Sequence, residues 1–301
     1  MITLLFGAGA SFGSRKCFPH VPPQGAKLFE ALENLKGAFY ALPSDTKDIF
    51  RNEGFEAGML GIPNDNRIIT PLQKELALYL SSFTIENDNA YLRLFKKIRL
   101  HIPKITISTL NYDLLIEQAL LGYNIGFTYD IGESVVKLLK LHGSSNFLPE
   151  LPEGVNISGN VMIGCGSFIE TNRMNAVMTH SEIKVWCQNP RNSELAPAIA
   201  KYERNKGVPF NSGAIKKVQS IYHSTVMNSS LLIVIGARYL SHDEHIWKCI
   251  EKSNSKVIVV DPDPQYILGW LEEHKRNNYE VIVKGFYEAV NDIAWKIKLS
   301  K

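Results

Sequence analysis

The chain has 301 residues, with 33 lysines and arginines against 30 aspartates and glutamates, and a formal net charge of +3. It contains no long basic block, so a direct nucleic-acid partner is not predicted. Its first apolar run is broken by glycine too soon to be a signal peptide or a membrane span. We therefore expect a cytoplasmic globular protein that has no membrane partner.

Four cysteines occur, and no two of them have the CxxC spacing of a zinc ribbon. They are Cys17, Cys165, Cys187 and Cys249. Neither a structural zinc site nor a disulfide framework is predicted from this spacing.

The first predicted element is a short apolar run, Ile2–Phe6, which glycine ends at once, as expected for a strand buried on both faces. Over 24–100 apolar residues recur at helical spacing and prolines punctuate them. We interpret this stretch as a helical insertion after the first strand. Strand-like runs return at Lys104–Ser108 and Val135–Leu141, and Leu114–Leu121 is predicted as a helix between them.

Residues 150–212 are rich in Asn, Gly, Ser and Pro and hold one short apolar run, Val161–Ile163, which indicates an irregular second insertion. Strands and helices then alternate to the end of the chain, as in a parallel sheet covered on both faces. The strands are predicted at Leu231–Ile235, Lys256–Val260 and Val281–Val283, and the helices at Gly213–Asn228, Asp243–Glu251, Gln265–His274 and Tyr287–Lys296.

The predicted fold is α/β and Rossmann-like, with a mostly parallel sheet and helices on both faces. We expect a single domain over 1–301. Its core is predicted to come from 1–23, 101–149 and 213–301, with the two insertions between these parts.

Three polar segments follow predicted strands. Gly7–Ser11 follows the first strand, Asn111 and Asp113 follow the second, and His142 follows the third. Because ligands of open α/β sheets bind outside the carboxyl ends of the strands, we expect these segments to line one crevice. Glycines allow a backbone to approach a phosphate, asparagine can hold ribose hydroxyls or a water, and histidine is a natural general base at neutral pH.

Each segment also has a plainer structural interpretation. Gly7–Ser11 lacks the full GxGxxG pattern, because the next glycine, Gly13, comes one residue late, and an ordinary turn is an alternative. Asn111 or Asp113 can cap the helix that follows. A lone histidine such as His142 is more often structural. The coincidence of three such segments at successive strand ends favours a site.

A metal site is not predicted. His242 and His245 lie one helical turn apart, but the sequence offers no evident third ligand. Ser241 or Asp243 is expected to cap the helix that begins there.

In this order, the segments GAGAS, TLNYDLLIEQAL, KLHGS, VIGARYLSHDEHI and VVDPDP resemble the sirtuin family and its bacterial sirtuin-like relatives. The resemblance covers the core strands and neither insertion, and it implies that the chain binds NAD. It implies that Asn111 orients the nicotinamide ribose or the attacking water, that Asp113 lies near the carboxamide, and that His142 is the catalytic base. The residues implied for the pyrophosphate, the ribose and the adenosine half are Gly7, Ala8, Gly9, Ser11, Gly236 and Asp261.

The sequence also departs from the sirtuin pattern. Leu110 replaces a glutamine, Arg238 replaces a small hydroxyl residue, and the four-cysteine zinc module that helps shape the acyl-lysine cleft of deacetylases is absent. The segment Ser241–His245 is closer to the sirtuin-like anti-phage defence proteins.

The resemblance therefore implies a metal-independent NAD hydrolase that releases nicotinamide and ADP-ribose and depletes NAD during infection. In this class, oligomerisation, a sensor domain or a partner protein controls activity. For this chain we expect weak activity that rises on homo-oligomerisation or on binding of a separate regulatory partner protein. An NAD-dependent protein deacylase and a non-catalytic module that senses NAD or ADP-ribose are the alternatives.

Overall fold

The computed structural model describes residues 1–63, 65–129, 136–150, 174–200 and 212–300. Its centre is a seven-stranded sheet in which all neighbouring strands run parallel. The strands are β1 (Ile2–Phe6), β2 (Cys17–Phe18), β3 (Thr84–Ile85), β4 (Ile105–Thr109), β5 (Phe127–Thr128), β6 (Val136–Lys140), β7 (Phe147–Pro149), β8 (Met174–Ala176), β9 (Leu231–Ile235), β10 (Lys256–Val260) and β11 (Tyr279–Ile282).

The strand order is β11-β10-β9-β1-β4-β6-β5, with β1 in the middle. After β1 the chain builds the sheet outward on one side through β4 and β6, and β9 then returns to the other side of β1. This reversal between β1 and β9 is the topological switch point at which such sheets bind ligands. The predicted α/β, Rossmann-like fold is confirmed. The small strands β2–β3 and β7–β8 form two separate antiparallel pairs.

Twelve α-helices are described. They are α1 (Ala8–Phe12), α2 (Ala26–Asn34), α3 (Ser44–Asn52), α4 (Phe55–Leu60), α5 (Asn66–Ser81), α6 (Ala90–Ile98), α7 (Leu115–Gly122), α8 (His180–Gln188), α9 (Ser212–Met227), α10 (Glu244–Lys252), α11 (Gln265–Glu273) and α12 (Phe286–Leu299). Among the described residues, no helix has both the length and the apolar character that crossing a membrane requires.

Apolar cores cover both faces of the sheet, because successive side chains of a strand point to opposite faces. Leu4 and Phe6 of β1 belong to one core together with residues of α2, α6, α7 and α12. Leu5 belongs to the other core, together with residues of α9, α10 and α11. Helices α2–α6 all lie between β1 and β4 in the chain, and their aromatic side chains join the first core, with Phe29 stacked on Phe50 at 4.5 Å between ring centres.

Some elements differ from the sequence predictions. The glycine segment is not an open loop, because helix α1 begins at Ala8. The last strand is Tyr279–Ile282 rather than Val281–Val283. Its start was missed because Glu280, a polar residue, lies within this edge strand and pairs with lysines. Val135 and the apolar run Val161–Ile163 lie outside the described residues, as does much of 150–212.

Candidate functional site

A cleft of about 860 Å³ runs along the carboxyl ends of β1, β4, β6, β9 and β10. Residues 22–25 and 53–56, which belong to the helical segment between β1 and β4, line its other wall. All the site residues predicted from sequence line this one cleft: Gly7, Ala8, Gly9, Ser11, Asn111, Asp113, His142, Gly236 and Asp261. The expected convergence of the strand-end segments is therefore present.

The glycine segment packs backbone against backbone on the turn after β9. The amide of Gly9 donates to the carbonyl of Gly236 at 2.8 Å. A Cβ atom on Gly7 or Gly9 would lie 2.5 or 2.8 Å from that same carbonyl oxygen. Gly236 has a φ of +58°, and a Cβ there would lie 2.2 Å from the amide nitrogen of Ala10. These glycines are thus required for two turns to touch at the switch point, independently of any ligand.

Asn111 is buried and held by two donated hydrogen bonds. Its side-chain amide donates to the carbonyl of Gly7 and to the hydroxyl of Ser11, both at 2.9 Å. Because a carbonyl can only accept, the contact with Gly7 fixes which end of the carboxamide faces it. The remaining oxygen, Oδ1 of Asn111, is buried and accepts no hydrogen bond from any described residue. The arrangement therefore leaves an oriented acceptor in a residue that lines the cleft.

Tyr91 extends this hydrogen-bonded chain behind the cleft. Its hydroxyl lies 3.1 Å from the hydroxyl of Ser11, and its ring is fully buried. Burial raises the pKa of Tyr91 well above its usual value, so the phenol stays neutral. Sequence analysis missed this residue, because a tyrosine on the apolar face of α6 is indistinguishable from an ordinary core residue.

Asp113 hydrogen-bonds to the start of α7, but it does not occupy the N-cap position that the capping alternative gave it, because the N-cap is Leu114. Oδ1 of Asp113 accepts a hydrogen bond from the amide of Leu115, in the first turn of α7, at 3.1 Å. Asn111, in contrast, does not cap the helix with its side chain, since its amide is directed to the glycine segment. The neighbouring Thr109 accepts from the amide of Asn111 and donates to Phe6, which ties β4 to β1.

A buried ion pair lies behind this segment. Lys140 at the end of β6 and Glu117 on α7 are 2.9 Å apart and almost fully buried. The ammonium of Lys140 also donates to the carbonyl of Asp113 at 2.6 Å, and Tyr129 donates to the carboxylate of Glu117 at 3.0 Å. Burial raises the pKa of Glu117, and the charge of Lys140 opposes that rise. The ion pair therefore links the end of β6 to α7, and the bond from Lys140 to Asp113 also links it to the segment that follows β4.

His142 is buried at the end of β6 in a tightly defined turn. Gly143 has a φ of +80°, and a Cβ there would lie 1.8 Å from the carbonyl oxygen of Ala198. The carbonyl of His142 accepts from the amide of Ala200 at 2.8 Å. The segment around 198–200 thus holds the histidine turn in place, a role that the irregular sequence of this region did not reveal.

The side chain of His142 contacts the beginning of α10. Its Nε2 lies 3.3 Å from Oδ1 of Asp243, within ion-pair distance, and its ring centre lies 5.3 Å from that of His245. Asp243 occupies the N-cap position of α10, one of the two positions expected from sequence, but its side chain makes no cap bond. Asp243 is also a lining residue of the cleft that sequence analysis did not assign.

The same three residues form a group of possible metal ligands. One donor atom from each of His142, Asp243 and His245 lies within 4.8 Å of the others. The expectation that no third ligand accompanies His245 was therefore wrong. His242, the other histidine considered, instead lies 3.2 Å from Glu56 on α4.

The far end of the cleft lies beyond β9 and β10. Asp261 is half-buried, and its Oδ1 accepts from the amide of Asp263 at 2.8 Å. Burial raises the pKa of Asp261. The guanidinium of Arg238 lies 3.9 Å from the ring centre of Tyr266. This end therefore combines two carboxylates with a cation stacked on an aromatic ring.

No protein-family profile and no curated protein matches the chain. Similar solved structures include a Sir2 homologue in complex with NAD, with a TM-score of 0.49 and 14% sequence identity over 99% of this chain and 89% of that chain. Another is Sir2 in complex with an inhibitor, 2′-O-acetyl-ADP-ribose and a deacetylated peptide, with a TM-score of 0.46 and 16% identity over 100% and 95% of the two chains. At these scores the likeness is a general one of chain path.

Proposed function

We propose that the chain is an NAD hydrolase that releases nicotinamide and ADP-ribose. The observation that carries the proposal is the placement of the Asn111 acceptor and of His142 in one cleft, beside the glycine segment at the switch point. The cleft volume is within the range of about 300–1,000 Å³ that small-molecule and cofactor sites occupy. The motif resemblance to sirtuins supports NAD as the ligand.

In the proposed reaction, the bond between the nicotinamide nitrogen and the ribose breaks, and its electron pair neutralises the pyridinium. The ribose carbon that becomes electron-poor is attacked by a water molecule. Oδ1 of Asn111 accepts a hydrogen bond from that water or from a ribose hydroxyl and thereby positions it. His142 accepts the proton that the water loses.

Asp243 has a supporting part in this proposal. A carboxylate 3.3 Å from Nε2 of His142 stabilises the imidazolium that forms when the histidine accepts a proton. We therefore assign Asp243 as a positioning and charge-balancing residue, and not as a group that contacts the reacting atoms.

The remaining predicted residues are assigned along the length of the cleft. Gly7, Ala8, Gly9 and Ser11 lie beside Gly236 at the switch point, where side-chain-free backbone would let a pyrophosphate approach closely. Asp261 would accept from hydroxyls of the adenosine ribose. Asp113 would use the carboxylate oxygen that does not accept from Leu115 to hold the nicotinamide carboxamide.

Incubation of the purified protein with NAD, followed by chromatography for nicotinamide, tests the proposal. Release with NAD alone is the expected result. Release only in the presence of an acylated lysine peptide would instead establish the deacylase, and binding by calorimetry without release would establish a sensing module. Either result contradicts the hydrolase.

We further propose that the biological role is NAD depletion in the cytoplasm during phage infection, and that activity is restrained until the chain homo-oligomerises or binds a regulatory partner protein. The motif resemblance to sirtuin-like defence proteins supports this role. Specific activity measured over a range of protein concentrations, with light scattering alongside, tests the restraint. A monomer that is fully active at the lowest concentrations and harmless when expressed would contradict it.

A further inference from the structure

His142, Asp243 and His245 bring two imidazoles and one carboxylate together, and two of the three, His142 and Asp243, line the cleft. The three come from two separate places in the chain, the turn after β6 and the beginning of α10, and their donor atoms lie within 4.8 Å of one another. His142 and Asp243 are 3% and 1% exposed, whereas His245 is partly exposed. The cluster is thus built into the fold.

The spacing of the two buried donors suits a tetrahedral metal ion. A zinc ion holds nitrogen and oxygen ligands at about 2.0–2.1 Å, so two ligands of a tetrahedron are roughly 3.4 Å apart. Nε2 of His142 and Oδ1 of Asp243 are 3.3 Å apart. The third ligand, His245, is partly exposed, and one of its ring nitrogens lies within 4.8 Å of the donor atoms of His142 and Asp243.

The chemistry of the donor set selects the kind of metal. Imidazole favours zinc and related transition metals, whereas magnesium and calcium favour sites made of oxygen ligands alone. With three protein ligands the fourth position of a zinc ion remains for water, and His142 and Asp243 both line the cleft from which that water would come.

We propose that His142, Asp243 and His245 form a zinc-type metal site whose occupation inhibits the enzyme. The inhibitory half rests on the proposed function, because a metal ion bound to His142 takes the ring lone pair that the histidine needs to accept a proton. The site is then either metal-bound and inactive or metal-free and active. Catalysis itself needs no metal in this scheme, and zinc is a reversible inhibitor.

Calorimetric titration of untagged, chelator-treated protein with zinc chloride tests the site directly. We expect one zinc per chain, and we expect His245→Ala, which removes a direct ligand, to weaken binding by at least roughly 10- to 100-fold, the loss typical when a residue that only supports a ligand is changed. His242→Ala is the matched control, since His242 contacts Glu56 and is not one of the three donors. It should bind zinc as the parent does. Absence of stoichiometric binding, equal affinity of parent and His245→Ala, or equal weakening by His242→Ala would overturn the site.

Nicotinamide release in the same zinc series tests inhibition, with each protein compared with its own metal-free rate. The parent should lose activity with a midpoint near its calorimetric affinity and recover it on chelation, and His245→Ala should need at least roughly 10- to 100-fold more zinc. Stoichiometric binding that leaves the rate unchanged or raises it would refute inhibition. A parent protein that never releases nicotinamide would refute the proposed function, while calorimetry still decides the metal site.

Discussion

Asn111 shows how far a single residue can be interpreted from sequence. Its position after a buried strand was visible, but the pattern left helix capping and ligand binding open. The structure separates Asn111 from Asp113: the aspartate accepts from the amide of Leu115 at the start of α7, while the asparagine donates to Gly7 and Ser11 and keeps a buried oxygen that accepts no hydrogen bond from any described residue. No local pattern could have told them apart, because the partners of Asn111 lie on a distant segment of the chain.

Asn111→Ala should abolish most of the NAD cleavage. The substitution removes the positioned acceptor, and loss of one such group typically costs about 10²–10³ in rate. Initial rates of nicotinamide release measure the effect, with thermal melting as the control for folding. A variant that melts like the parent and keeps more than about a tenth of its rate would remove Asn111 from the mechanism.

Asp243→Asn should lower kcat while leaving KM and the melting temperature close to those of the parent. The amide keeps the shape of the buried side chain but carries no charge to stabilise the imidazolium of His142. We expect a loss of about 100-fold in kcat, the lower end of the effects of acid–base groups. Asp243→Glu, which keeps the charge, should recover part of the loss. A rise in KM or a loss of stability with kcat unchanged would mean that Asp243 is only structural.

At the scale of elements, the contact between the turns after β1 and β9 was not predictable. From sequence, the glycines were expected to let the backbone approach a phosphate. In the structure, Gly7, Gly9 and Gly236 each also face the backbone of the opposite turn. A substitution there therefore changes folding before it changes ligand binding. A branched side chain at Gly9 would clash with the carbonyl oxygen of Gly236. We therefore expect such a substitution to lower the stability of the fold before it affects ligand binding.

Gly236→Ala should destabilise the protein by about 2–4 kcal/mol, because its φ of +58° and the contact at 2.2 Å both oppose a Cβ. Gly269→Ala is the control: this glycine lies within α11, and a Cβ there meets nothing within 4 Å. That change should be neutral or stabilise by about 0.5–1 kcal/mol. Urea unfolding of both variants compares them. Equal stability of the two would disprove the close contact.

Lys140→Met should lower the free energy of unfolding by about 3–5 kcal/mol, because it leaves the buried carboxyl of Glu117 without its counter-charge. The double variant with Glu117→Gln should regain much of this, because no buried charge remains and the glutamine oxygen can still accept from Tyr129. Urea unfolding measures all three proteins. A double variant less stable than Lys140→Met would contradict this account of the pair.

The pH dependence of Lys140→Met follows from the raised pKa of Glu117. With its folded-state pKa above the unfolded value, the carboxyl favours the folded state at low pH. That contribution is lost as the pH rises through the folded-state pKa. The difference in free energy of unfolding between the parent and Lys140→Met should therefore shrink as the pH is lowered. A difference that does not change with pH would contradict this.

For the whole molecule, the sheet was predictable and the site only in outline. Continuous apolar runs such as Leu231–Ile235 and the alternation of strands and helices identified a parallel sheet, and the position of ligands in such sheets made the convergence of polar segments expected. Contacts between distant segments were not predictable. Asp243 beside His142 and Tyr91 behind Asn111 depend on packing that no periodicity encodes.

We propose, above all, that the protein transfers the ADP-ribosyl group of NAD to water in this cleft. The most direct test is mass spectrometry of the products after incubation of the pure protein with NAD in water enriched in heavy oxygen. We expect nicotinamide and ADP-ribose in equal amounts, with one heavy oxygen in each ADP-ribose. Asn111→Ala should form almost no ADP-ribose. Intact NAD at high protein concentration, or ADP-ribose formed only with an acylated peptide, would contradict it.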